Sequence, residues 1–248
     1  MPRRLRPRRP STPAFLLTPL IVLALSGCGA PPPLGEQQLY AEANNEFEHG
    51  NFNLASQRYD ELLEQYPFSE LSEISRLRVG QAYYLNGDYD KAVASFTDFE
   101  RLHPTSPLLP FVEYTIGMSH LDQARSRDRD KSATDNALRQ FDGVSERYHA
   151  SIYGRLADYR MGQCEQKLAS HELYVGDYYV KIGQVTAGLA RYRYILDFYP
   201  SSDAAILGAE RLGLPTEDYG PDAPERNSGV EIVEIPAESV LDENLGLE

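Results

Sequence analysis

Gly50-Asn51-Phe52-Asn53-Leu54-Ala55, then Tyr59, Leu62 and Tyr66-Pro67, returns 37 residues later as Gly87-Asp88-Tyr89-Asp90-Lys91-Ala92, then Phe96, Phe99 and His103-Pro104. A third copy reads Gly183, Val185, Tyr192, Ile195 and Tyr199-Pro200. A fourth keeps only its second half, Ala137, Phe141, Val144 and Tyr148, with His149 where proline would stand. Each landmark has a physical reason. Glycine closes a first helix where the chain turns through positive φ. The small alanine lets a second helix approach the first. The aromatic residue four places on packs across the pair, and proline, with no N–H to donate, stops the second helix.

Self-similarity with this period and residue set is the tetratricopeptide signature. The expected fold class is therefore all-α, an α-solenoid of about five tetratricopeptide (TPR) helix pairs over residues 39–213. Apolar periodicity places helices near 39–49, 54–65, 72–86, 91–101, 108–123, 132–148, 152–170, 172–182, 185–198 and 203–212. Residues 124–131, which include Asp128-Arg129-Asp130, read as an exposed charged loop inserted in the third repeat. From 214 to 248, four prolines and ten acids face a single base, Arg226. Such a tail is expected to stay disordered, apart from a transient extended piece at 230–235.

The N-terminus reads as an address and an anchor. Five arginines lie before position 10, an apolar run covers 14–25, and Ser26-Gly27 offers the small residues that cleavage needs. The run is too short to cross a hydrocarbon core of about 30 Å, which takes about 20 helical residues. Residues 1–27 are accordingly an export signal. Leu25-Ser26-Gly27-Cys28 resembles the lipobox of bacterial lipoproteins, whose cysteine receives lipid and becomes the new N-terminus. Several acyl chains, at about 0.8 kcal/mol per buried CH₂, make a firm anchor. Residues 28–38, with Pro31-Pro32-Pro33, form the tether, and Gly29 in place of aspartate favours the periplasmic face of the outer membrane.

Charge and composition narrow the function. Without residues 1–27, 19 bases face 37 acids, a net charge near −18. That leaves nothing to neutralise nucleic-acid phosphates and no polybasic patch for anionic lipid. The five histidines show no HExxH spacing, and neither GxSxG nor GxxxxGK[ST] occurs. Cys164 sits in an apolar helical pattern and reads as a core thiol. No catalytic constellation emerges, so the chain is expected not to be an enzyme. No metal or cofactor is expected beyond the covalent lipid on Cys28.

A family resemblance enters here. Tyr66-Pro67-Phe68, Ala82-Tyr83-Tyr84, His103-Pro104-Thr105 with Pro107, the Asp128-Arg129-Asp130 insertion and Tyr178-Tyr179 occur in one order behind a lipobox. Over residues 39–212 the chain resembles the BamD (ComL-type) lipoproteins of the outer-membrane β-barrel assembly machinery. The resemblance implies a lipid-anchored scaffold with two partners. It docks on the POTRA domains of the barrel-inserting subunit, and it helps receive unfolded outer-membrane protein precursors; accessory lipoproteins are further candidates. It also implies that Arg191 meets the membrane-proximal POTRA domain and that Tyr66 and Phe68 take part in precursor recognition. A solvated Arg191, and a Tyr66–Phe68 pair that merely staples two repeats, are the bland alternatives. Two departures stand out. Asn53 replaces the family's basic residue after the first repeat's aromatic, and the acidic tail replaces an extra terminal helix.

Independently of that resemblance, the first helix of each TPR pair lines a concave groove. Counting back from Gly50 and Gly87, the lining is Tyr40, Asn44 and Phe47, then Ile74, Leu77, Gln81, Tyr84 and Leu85. Apolar, aromatic and amide groups suit an extended apolar-aromatic segment, not an acidic peptide. The competing reading is another TPR envelope lipoprotein, serving cell constriction, secretin assembly or polysaccharide export. Such a protein would lack the insertion and the Tyr-Pro-Phe turn. An envelope hydrolase would need a catalytic carboxylate or thiol in a cleft.

Overall fold

The turn glycines do what their spacing requires. Gly50, Gly87 and Gly183 have φ of 75°, 79° and 84°, a region closed to most L-residues. At Gly50 the N–H donates to Phe47 O at 3.0 Å and the next N–H, of Asn51, donates to Glu46 O at 2.9 Å. Gly87 and Gly183 repeat this Schellman pattern, which satisfies the last carbonyls of each helix.

A computed structural model describes residues 34–126 and 131–223, which lie within one unit, Leu34–Glu248. Among the described residues the elements are α1 (Glu36–Glu48), α2 (Phe52–Gln65), α3 (Ser72–Leu85), α4 (Tyr89–Leu102), α5 (Leu109–Ser126), α6 (Lys131–Tyr148), α7 (Ile152–Lys181), α8 (Val185–Phe198) and α9 (Asp203–Leu212). No strand occurs among them. Each helix packs on the next, and α7 also meets α5 and α9. This is the all-α TPR solenoid read from the repeats.

The pairs are locked by a ring on a small residue. Seven places before each turn glycine stands Ala43, Gly80 or Gly176, and the second helix sets Tyr59, Phe96 or Tyr192 against it. A Cβ on Gly80 or Gly176 would come within 2.6 Å of that ring. Ala55 and Ala92 are fully buried, as expected of the close crossing. In the last repeat this position is Gly188, where even a Cβ would lie 2.8 Å from the Gly176 carbonyl. Tyr59 donates its hydroxyl to Asn44, and Tyr192 donates to Asp177 at 2.6 Å, so the first and last pairs share one polar latch.

Three expectations need correction. The helices expected at 152–170 and 172–182 are one 30-residue helix, α7. Neither glycine nor proline stands near His171, and Leu168, Glu172 and Gly176 continue a single buried stripe at spacing four. Second, α1 starts at Glu36, so helix takes up the last residues assigned to the tether. Third, the folded part does not stop at 213. Tyr219 packs on a cluster of Ala169, Ile195, Ala204 and Ala205, and Gly220 N–H donates to Pro200 O at 2.9 Å. Average composition hid this, because the contact rests on a single tyrosine.

Truncation after 213 should therefore cost about 1–2 kcal/mol of buried surface and lower the melting temperature by about 2–8 °C. Truncation after 223 should leave the melt within about a degree, since acids and prolines offset little chain entropy. Thermal melts of the two shortened chains check both; equal melts would put Tyr219 outside the cooperative unit.

Candidate functional site

Two of the eight groove positions are enclosed. Leu77 belongs to the main core with Phe96, Phe99 and Phe111, and Gln81 is buried beside Arg78. Neither lines a groove, because α3 is covered on two sides by its neighbours. Tyr40, Phe47, Asn44 and Tyr84 remain half-buried, as do Ile74 and Leu85. Tyr40 meets the Tyr59 ring edge-on at 6.0 Å, and Phe47 meets Phe52 at 5.4 Å. Asn44 is the acceptor for Tyr59. Tyr84 donates to Asp122 on α5 at 2.7 Å, and burial, then that carboxylate, drives its phenol well above the usual tyrosine range. These groups form an aromatic and amide face rather than a charged one.

One residue on the same stripe of α3 was passed over in sequence. Arg78, four residues after Ile74 and three before Gln81, is only 7% exposed. Its guanidinium lies over the Phe47 ring at 4.9 Å. A lone base inside an apolar stripe was the available signal.

The first repeat ends in a turn with an exposed ring. Tyr66 donates its hydroxyl to Leu34 O at 2.9 Å, tying the turn to the chain entering α1. Phe68 is 99% exposed. In the equivalent turns this place is Thr105 or Ser201, so the fold does not ask for an aromatic there. Phe68 staples nothing. Asn53, which replaces a family base, exchanges amide hydrogen bonds with Asn86 at 3.2 and 3.4 Å.

Arg191 is committed inside the chain. Its Nη1 lies 2.7 Å from Glu172 Oε2, and Lys131 Nζ lies 3.2 Å from the other oxygen. The Glu172 side chain is 3% exposed, whereas that of Arg191 is 42% exposed. Three helices thus meet on one buried carboxylate. Arg191 neutralises a buried charge, and part of it still faces out. Glu113 is a second buried acid that sequence reading missed; it pairs with Arg147 and accepts from Tyr148 at 2.6 Å. Partners 19 to 41 residues away cannot be read from local spacing.

Cys164 is fully buried, and burial pushes its thiol up to about 12, which fits a packing role. No trio of His, Cys, Asp or Glu suited to a metal occurs among the described residues, and no described helix is long and apolar enough to cross a membrane. Cys28 and the Asp128-Arg129-Asp130 insertion lie outside the described residues.

A family model for outer membrane lipoproteins, YfiO, matches residues 33–221. The chain belongs to the YfiO family of outer membrane lipoproteins. The match runs past 213, as does the packing of Tyr219 and Gly220. YfiO-family relatives include outer membrane protein assembly factor BamD of Vibrio cholerae serotype O1, 30% identical over 209 residues, covering 78% of this chain and 87% of that one. BamD of Neisseria meningitidis serogroup A is 30% identical over 228 residues, covering 81% and 85%. BamD of Caulobacter vibrioides is 28% identical over 194 residues, covering 75% and 64%. The BamD resemblance read from the motifs is thereby borne out. Among solved structures, the TPR2AB domain–pHSP90 complex of yeast Sti1 is similar at TM-score 0.42 and 13% identity, covering 71% of this chain and 70% of that one.

Proposed function

We propose that this lipoprotein is a lipid-anchored scaffold for outer-membrane protein assembly. It docks on POTRA domains of a barrel-inserting subunit and holds unfolded barrel precursors for insertion. Membership of the YfiO family, whose relatives in Vibrio and Neisseria are named assembly factors, carries this reading. The half-buried Tyr40, Phe47 and Tyr84 and the fully exposed Phe68 support it, since an extended apolar segment gains from aromatic surface. Isolation of the detergent-solubilised complex and identification of its members tests it. A barrel-inserting subunit should co-purify; its absence overturns the proposal.

The anchor is a separate expectation. Cys28→Ala should move the protein from the outer-membrane fraction to soluble or uncleaved material, with the loss of the lipid mass. Unchanged mass and partition would show that Cys28 carries no lipid.

A further inference from the structure

Four residues before the glycine that receives a ring, helices α3, α5 and α7 carry Arg76, Glu113 and Glu172. One residue before that ring, the following helices carry Ser95, Gln140 and Arg191. In the two later repeats these places close on each other. Gln140 donates to the Glu113 backbone oxygen at 3.3 Å, while Arg147 and Tyr148 take its carboxylate. Arg191 takes Glu172 at 2.7 Å, and both acids end up buried. In the earlier repeat the charge has the opposite sign, the answering residue is a serine, and no hydrogen bond joins the two. Between α2, α3 and α4 lies a cavity of about 320 Å³, with Arg76 and Ser95 in its lining.

That lining holds two opposite charges that nothing else answers. Asp60, from α2, borders the same cavity. Among the described residues neither Asp60 nor Arg76 makes a hydrogen bond or an ion pair, and they act on each other only at longer range. Burial, then the neighbouring Glu64, holds the Asp60 carboxyl above its ordinary value, and Arg76 offsets part of that. The other two charges there are engaged. Lys91 lies 3.5 Å from Asp88 and 5.2 Å from the centre of the Tyr83 ring, and Asp98 takes Arg101 at 3.0 Å. Leu63, Val79 and Phe99 supply apolar wall. None of the eight groove positions expected from sequence lines this cavity.

A molecule that answers both groups must carry both charges. A lone anion would meet Asp60, and a lone cation would meet Arg76. A neutral apolar molecule would take water from both without replacing it. A guanidinium holds an oxyanion, and a carboxylate holds an ammonium, through charge-assisted hydrogen bonds. The volume is at the small end of ligand pockets, which span about 300–1,000 Å³. We infer that the cavity between α2, α3 and α4 binds a small zwitterion, its oxyanion on Arg76 and its primary ammonium on Asp60. Free amino acids and ethanolamine phosphate headgroups share this chemistry. The inference goes beyond the scaffold reading and does not depend on it.

The test is titration calorimetry on the full chain in a non-ionic detergent, with four probes. L-Leucine and O-phosphoethanolamine are the zwitterions; N-acetyl-leucine and leucinamide each keep one charge. At least one zwitterion should bind, at least tenfold more tightly than either half. Arg76→Gln and Asp60→Asn should each weaken it at least tenfold. Ser95→Gln places in this repeat the residue of the next one, and should abolish binding while the melting temperature stays at or above that of the wild type. If Ser95→Gln fails to fold, the changes at the half-exposed Asp60 and Arg76 decide. Tighter binding of leucine assigns the site to an amino acid, and tighter binding of O-phosphoethanolamine assigns it to a headgroup; either bears the inference out. Binding of neither zwitterion overturns it. So does a half that binds as tightly as the whole, or binding that survives both charge changes or a folded Ser95→Gln chain.

Discussion

Arg191→Leu should lower the melting temperature of the isolated chain, apart from any effect on the proposed docking. The substitution leaves Glu172, 3% exposed, with Lys131 alone. Breaking a fully buried pair costs about 3–5 kcal/mol, but Arg191 is partly in water and Lys131 stays, so about 1–3 kcal/mol is expected. For a domain of this size that is a drop of about 2–12 °C. Glu172→Leu combined with Arg191→Leu should recover most of the loss, because no buried charge is then left unpaired. A wild-type melt for the single mutant would mean that Lys131 suffices. The double mutant also separates two roles. If docking on the barrel-inserting subunit recovers with stability, Arg191 acts by holding three helices together. If docking stays at least tenfold weaker while the melt recovers, the exposed part of Arg191 touches the partner. Arg193, exposed two residues on, is the control and should change neither.

Phe96→Ala should be the most damaging single change in the second repeat. The ring is fully buried, sits where Gly80 has no side chain, and meets Phe111 edge-on at 6.4 Å. Its removal should cost about 3–5 kcal/mol through lost burial and the cavity left behind. Gly80→Ala attacks the same contact from the other side. Its Cβ would lie 2.6 Å from a ring with nowhere to go, at about 1–3 kcal/mol. Together the two changes should cost less than the sum of the singles, since alanine at 80 fills part of the space that the ring vacates. Denaturant melts of the two single mutants and the double mutant measure this coupling. Strict additivity would mean that ring and glycine are not one packing unit.

The repeat frame was legible because its signals are short-range. A glycine at positive φ, an alanine at a close crossing and a proline after the last turn act within a few residues, so Gly50, Ala55 and Pro67 announce their roles wherever the chain goes. Periodicity likewise placed nearly every helix within a few residues of its true ends. It failed at His171, where two expected helices are α7, because a stripe of enclosed residues running on through Glu172 looks locally like the start of a new element. Phe68 was legible as an aromatic but not as an exposed one.

By itself, then, the sequence determined the fold class, the TPR frame and the family. All three depend on residues near one another along the chain or on their order. Only the tertiary structure decided that Leu77 and Gln81 are enclosed, that Tyr219 belongs to the folded part, and that Arg191 answers Glu172. It alone showed that Arg78 lies without a carboxylate partner among the described residues. Those outcomes depend on which helix faces meet across neighbouring repeats, and the low dielectric there turns an unremarkable acid or base into an energetic commitment.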